Sequence, residues 1–379
     1  MITRPEYLKR IKNALDRNAV AMLLGARQIG KSTLAQQLLP RTDPQYFDLE
    51  LPSAQRLMTD PYTTLEGLRG LVVIDEAQRA PALFPVLRVL ADRPRKPARF
   101  LLLGSASPEL SRQSNESLAG RVEFIDVFGF TSGEAGRAAE RKLWLRGGFP
   151  RSFLARNDQD SMLWRDQFIR SFLERDLRAL GFDHSPAAMG RFWTMIAHYH
   201  GQIWNAAEVA GSLKLNVRTV NRYLEALEQT FMIRRVLPWY ENLGKRIVKS
   251  PKIYFRDSGL FHSLMRIGGI RELMHHPKYG ASWEGFVVEE IAAALKLRDF
   301  YFFNVHSGSE LDMFFLHSGK RVGVEIKRED APRMTKSMHV ALEDLRLDKL
   351  RVVYPGTHRY KLAPKVECVP FAQLHDLLK

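Results

Sequence analysis

A mixed α/β fold of several domains is predicted by three observations. A short apolar run at residues 18–24 leads into the octet GARQIGKS at 25–32 and then into TLAQQLL. A second apolar run, LVVI at 71–74, ends in the adjacent carboxylates Asp75 and Glu76. Beyond residue 275, short alternating segments follow an amphipathic helical stretch. Strand-length apolar runs punctuated by glycine and interleaved with helical periodicity are the sequence mark of α/β architecture.

The octet is the complete GxxxxGK[ST] pattern in its strand–loop–helix setting, a phosphate-binding P-loop. Gly25 and Gly30 let the backbone curl so that N–H groups across Ala26, Arg27, Gln28 and Ile29 turn toward phosphate. Lys31 is expected to neutralise β/γ oxygens, Ser32 to hold Mg²⁺, and Thr33 to continue the site into the helix. The expected ligand is ATP with Mg²⁺. Asp75 would complete the metal shell, and Glu76 would polarise the attacking water, the Walker B arrangement. A third strand, 100–103, ends at GSAS, where Ser105 or Ser107 could orient that water. Arg121, or Arg112, is a candidate to reach a neighbouring subunit's site, because an arginine against the developing charge accelerates phosphoryl transfer by roughly 10³–10⁵.

Composition narrows the function classes. The 379 residues are 45% hydrophobic and 26% charged, enough for real cores and two or three domains. No apolar run approaches the roughly 20 residues of a membrane span, and the N-terminal segment has no hydrophobic signal region. Cys368 is the single cysteine, which excludes an intramolecular disulfide and a multi-cysteine zinc site. A cytoplasmic protein with no membrane contact is expected. The 57 Lys+Arg against 42 Asp+Glu give +15, which favours a polyanionic partner.

That charge is concentrated. Residues 204–229 read as two helices joined by Lys214-Leu215-Asn216. Val217, Val220, Leu224 and Leu227 would form the core stripe of the second. Arg218, Asn221 and Arg222 would then face outward, as on a recognition helix. Strands at 231–237 and 253–255 flank a loop with Lys245, Arg246 and Lys249, completing a winged helix. Residues 214–256 hold ten Lys/Arg and three Asp/Glu. DNA is the expected partner, and a protein–protein joint is the alternative use of such a module.

In the C-terminal part a helix is expected from Ser282, with strands at 300–304, 311–316 and 321–326. Glu325 and Lys327 would share one strand face, with Asp312 beside them if the strands form a hairpin. The charge here is near balance, sixteen Lys/Arg against fourteen Asp/Glu in 276–379.

The motifs GARQIGKST, VVIDEAQ, LLLGSAS, SLAGR and GGFP together resemble the bacterial and archaeal AAA+-type ATPases that end in a domain of unknown function. FLERDLRALG, TVNRYLEALEQTFMIRRVLPW and KSPKIYFRDSGL extend the resemblance over nearly the whole chain. It implies a P-loop ATPase core at 1–138, a helical lid at 139–183 and a winged helix at 184–265. A restriction-endonuclease-like α/β domain would occupy 270–379. It also implies a ring, expected as a hexamer. In the nuclease-like fold, Glu284, Asp312 and Glu325 would hold a metal and Lys327 would assist the chemistry. Three activities stay open: an ATP-driven DNA remodeller, an ATP-gated metal-dependent nuclease, and a nucleotide switch with a protein partner.

Overall fold

The computed structural model describes residues 2–94, 97–105, 116–240, 249–305 and 308–378, with only the backbone of Ser105. Ser107, Arg112, Lys245 and Arg246 lie outside the described residues. The chain packs as two compact units. One comprises 1–129, 171–184 and 229–231; the other comprises 130–170, 185–228 and 232–379. The segment expected as a lid, 139–183, is thus shared between them.

The first unit is built on a five-stranded parallel sheet. Its strands are β1 (Val20–Gly25), β2 (Tyr46–Asp48), β3 (Gly70–Asp75), β4 (Ala98–Ser105) and β5 (Val122–Asp126), in spatial order β2-β3-β4-β1-β5. Helices cover such a sheet on both faces, so its strands read as unbroken apolar runs. Val20, Met22, Val72, Ile74, Phe100 and Leu102 pack in one cluster with Phe84 and Leu87. The order places β4 between the P-loop strand and the strand ending in Asp75. Its last residue, Ser105, lies in register with Gly25.

The helix after the P-loop is shorter than TLAQQLL suggests, running only from Lys31 to Gln36. Leu38 and Leu39 then bond to the Ala35 carbonyl in a closing turn. Pro40 follows, and the residue before a proline is disfavoured in helical geometry.

In the second unit, the helix Pro186–His198 leads to β6 (Gln202–Ile203), the helices Ala206–Leu213 and Val217–Gln229, then β7 (Ile233–Pro238) and β8 (Lys252–Phe255). β8 pairs antiparallel with both β6 and β7, giving winged-helix topology. Asn216 caps the helix Val217–Gln229 by accepting the Thr219 amide at 2.7 Å. The expected core stripe is shifted. Val220, Leu224 and Leu227 are buried, joined by Tyr223 and Ala226, whereas Val217 is 43% exposed. Val217 sits in the first turn, ahead of the stretch that packs.

The chain continues into β9 (Tyr301–Asn304), β10 (Glu310–His317), β11 (Lys320–Ile326), β12 (Lys349–Tyr354), β13 (Tyr360–Ala363) and β14 (Val366–Pro370). β7 pairs in parallel with β9, so one nine-stranded sheet runs β13-β14-β12-β11-β10-β9-β7-β8-β6. Winged helix and C-terminal strands therefore share a sheet. Trp239 seals the junction, its ring centroid 4.9 Å from Tyr301 and 4.8 Å from Phe314.

Two of the sequence motifs are explained by packing. Asp257 accepts the amides of Gly148 at 2.7 Å and Leu260 at 2.8 Å, tying GGFP to RDSGL. Gly147, at φ +75°, leaves the space that this carboxylate fills. A Cβ on Gly259 would lie 2.1 Å from the Arg146 carbonyl oxygen. The fully buried Arg165 donates to the carbonyls of Leu145 at 2.8 Å and Gly259 at 3.0 Å. Its burial lowers the guanidinium pKa to about 10.

Candidate functional site

The P-loop starts at the end of β1, where Gly25 is pressed against the Val127 carbonyl. A Cβ there would meet that oxygen at 2.5 Å. Gln28 (φ 62°) and Gly30 (φ 101°) take left-handed conformations that reverse the backbone into the helix. Lys31 is 7% exposed and donates to the carbonyls of Gly25 at 2.9 Å and Ala26 at 2.8 Å, so its ammonium is folded into the loop. Burial pulls its pKa down to about 8, against the raising influence of Glu76 and Asp75. A buried ammonium with two carbonyl partners is primed for a ligand bearing negative charge.

Asp75 is 6% exposed and accepts the Tyr46 hydroxyl at 2.9 Å through Oδ2, while its Oδ1 accepts the Glu76 amide at 3.0 Å. Glu76 takes φ 56°, turning the chain out of β3, and its carboxylate accepts the Gln78 side-chain amide. Hydroxyl and carboxylate oxygens such as those of Ser32 and Asp75 are the hard donors Mg²⁺ prefers. The glycine cradle, the buried lysine and this donor set fit an Mg–nucleotide.

Sequence reasoning missed the setting of Arg27. Its guanidinium binds the fully buried Asp176 at 2.6 Å and Glu50 at 3.3 Å. Asp176 closes the π-helical turn Phe172–Asp176 within FLERDLRALG. Arg121 is clamped by both oxygens of Asp92 in the same chain, at 2.7 and 2.8 Å.

The C-terminal acids form a second cluster. β10 and β11 pair as an antiparallel hairpin with Met313 opposite Val324, which sets Asp312 and Glu325 side by side at the next step. The Ile326 amide donates to Asp312 Oδ2 at 2.7 Å, and Lys327 Nζ lies 2.6 Å from Glu325 Oε1. Glu284, on the helix Tyr279–Leu295, joins them. The residue sequence reasoning missed here is Lys252 of β8, 2% exposed. Its ammonium lies 3.3 Å from Glu284 Oε1 and 3.8 Å from Asp312 Oδ1, and pairs with Glu310 Oε1. Tyr254 donates its hydroxyl to Glu284. Burial, then Glu284 and Glu325, push the Asp312 carboxyl well above its usual range. Burial opposes the charge on Lys252, but the surrounding acidic groups hold its pKa well above the ordinary value.

The metal expected on Glu284, Asp312 and Glu325 therefore does not fit as drawn. Among the described residues no group of three or more His, Cys, Asp or Glu could hold a metal ion. Lysine occupies the centre, a role no local spacing could signal, since Lys252 is 58 residues from Glu310 along the chain.

Of the expected DNA-facing residues, Arg218, Asn221, Arg222 and Lys249 are exposed. The charge count at 214–256 overstates the outward charge. Arg234 and Arg256 bind the buried Glu289, at 2.5 and 3.5 Å. Arg235 pairs with Glu228, and Lys252 is in the cluster above. Among the described residues, four of these cations pair with acids of the same chain, two of them with the buried Glu289.

Among the described residues no helix is long and apolar enough to cross a membrane. Residues 17–136 match the family described as AAA domain. Residues 137–271 and 279–374 match two families described as domains of unknown function, DUF8612 and DUF4143. The uncharacterized proteins Rv2008c of Mycobacterium tuberculosis and Mb2031c of Mycobacterium bovis are each 49% identical over 375 residues, covering 99% of this chain and 85% of theirs. Among solved structures, a Walker-type ATPase of Pyrococcus abyssi is 17% identical with a TM-score of 0.49, over 70% of this chain and 96% of its own. A Thermotoga maritima RuvB variant is 17% identical with a TM-score of 0.30, over 62% and 90%.

Proposed function

As the chain belongs to the family of these mycobacterial proteins, with an AAA-type P-loop domain at its front, we propose that it is an Mg-dependent ATP hydrolase acting on DNA through its winged helix. The observation that carries the hydrolase reading is that the P-loop strand β1 and the Walker B strand β3 flank β4 in one parallel sheet, so Lys31, Asp75 and Glu76 come together at the same sheet edge. Ser32 and Asp75 would hold Mg²⁺, which supplies charge neutralisation at the phosphates. Backbone N–H groups of residues 25–32 and the Lys31 ammonium would bind the triphosphate. Glu76 would accept a proton from the attacking water. Ser105, at the β4 end beside Gly25, would orient that water.

A ring with Arg121 reaching a neighbour's site rests on the family resemblance alone. Such a role would require Arg121 to leave Asp92. The primary test is ATP hydrolysis with Mg²⁺, alone and with single-stranded, duplex and junction DNA. Stimulation by DNA is the expected result. Hydrolysis indifferent to all three would favour the nucleotide switch with a protein partner.

The DNA reading is supported by outward-facing Arg218, Asn221 and Arg222 on a winged-helix topology, with Lys214 and Lys249 also exposed. Replacing Arg218, Arg222, Lys214 and Lys249 together by alanine is expected to weaken duplex binding. Each lost phosphate contact should flatten the log–log salt dependence by about 0.9. Fluorescence anisotropy at several salt concentrations measures this, and an unchanged slope would move the DNA surface elsewhere.

A further inference from the structure

The carboxylate cluster of the second unit is already supplied with cations by the protein. Lys252 Nζ pairs with Glu310 Oε1 and lies within 4 Å of Glu284 and Asp312 oxygens, and Lys327 Nζ covers Glu325 Oε1. The remaining oxygens are largely engaged too. Asp312 Oδ2 accepts the Ile326 amide, Glu310 Oε2 accepts the Asn304 side chain at 2.8 Å, and Glu284 Oε1 also accepts Tyr254. Glu325 Oε2 is the one oxygen of the cluster found buried without a hydrogen-bond partner among the described residues. We propose that Lys252 is the resident cation of this nuclease-like site, standing where a divalent metal would otherwise sit, so that the wild-type domain is metal-free and does not cleave phosphodiesters.

Two features keep Lys252 in place. It belongs to β8, paired on both sides in the sheet, so its Cα cannot withdraw. Its side chain is 3% exposed and its ammonium lies 5.6 Å from the centre of the Phe302 ring, so it is enclosed where it pairs with the acids. A divalent ion brought to the same carboxylates would meet a fixed ammonium of like sign inside a poorly solvated pocket. The lysine also ties the wing hairpin to the helix Tyr279–Leu295 and to β10. Removing it would leave acids clustered with too little compensating charge, a state that favours uptake of a proton or a metal.

The experiment titrates full-length, nucleotide-free protein with Mn²⁺ by electron paramagnetic resonance. It uses an Asp75→Asn background so that the nucleotide site contributes nothing. The parent and its Asp312→Asn derivative are expected to give superimposable curves. Lys252→Met is expected to gain one Mn²⁺ site at least about 10-fold tighter than any in the parent, and Lys252→Met/Asp312→Asn to lose it. A Mn²⁺ site in the parent that Asp312→Asn abolishes would overturn the proposal. So would a folded Lys252→Met protein with no gained site. If Lys252→Met does not fold, the comparison of parent with Asp312→Asn still decides whether the native site takes metal. Lys252→Gln, which keeps most of the side-chain volume, replaces it as the gain-of-binding variant. These readouts do not depend on ATP hydrolysis or on DNA binding.

Discussion

Replacing Lys31 by alanine is expected to weaken ATP binding by about 100-fold or more. Charge-assisted hydrogen bonds contribute about 1.5–3 kcal/mol each, and this ammonium would make more than one. It is held in the loop by Gly25 and Ala26 carbonyls, and phosphate oxygens would compete for those same protons. Glu76→Gln should behave differently. Its side chain keeps its shape and its Gln78 neighbour, so binding should persist, while hydrolysis should fall about 10²–10⁴-fold as a general base is lost. Titration with a fluorescent ATP analogue and steady-state phosphate release separate the two effects. Hydrolysis by Glu76→Gln at the wild-type rate would remove Glu76 from the role of base. Tight binding by Lys31→Ala would contradict the placement of phosphate.

The second large effect is on stability. Gly259→Ala should destabilise the second unit by more than about 3 kcal/mol, at the upper end of what overpacking costs. The added methyl meets the Arg146 carbonyl at 2.1 Å and the Gly147 amide nitrogen at 2.8 Å, both backbone atoms. Relief requires GGFP and RDSGL to separate, which breaks the Asp257 and Arg165 bonds that join them. Gly211→Ala is the contrast. It lies in the helix Ala206–Leu213 with nothing within 4 Å of the new methyl, and should gain about 0.5–1 kcal/mol. Thermal unfolding followed by circular dichroism distinguishes them. A Gly259→Ala protein that melts with the wild type would show that this contact relaxes easily.

What could be read in advance was local. The P-loop, the carboxylate-tipped strand and the β10–β11 hairpin each announce themselves within a few residues, because turn chemistry and strand periodicity act at short range. What escaped was long-range pairing. No pattern near Lys252 says that its ammonium will be enclosed by Glu284, Glu310 and Asp312, and none near Arg27 points to Asp176. The same blindness inflated the electrostatics. Arg234 and Arg256 count as +2 in the sequence, yet they serve a buried glutamate. Spacing puts Val217 in the core, but the first turn of its helix lies outside the packed stretch.

The pairing of β7 with β9 has a practical consequence for dissecting the protein. A chain cut between residues 265 and 270, where sequence suggests a natural border, would strip β9 of its Leu237 and Pro238 neighbours and lift Trp239 from Tyr301 and Phe314. Each fragment would then carry a raw sheet margin with unmet backbone donors and acceptors, a template for aggregation. Recombinant pieces that end there should come out of cells insoluble, which expression and fractionation of each fragment beside the full chain would check. A reporter or affinity tag inserted for functional work belongs instead at the exposed turn beside Ser318 and Gly319, between β10 and β11.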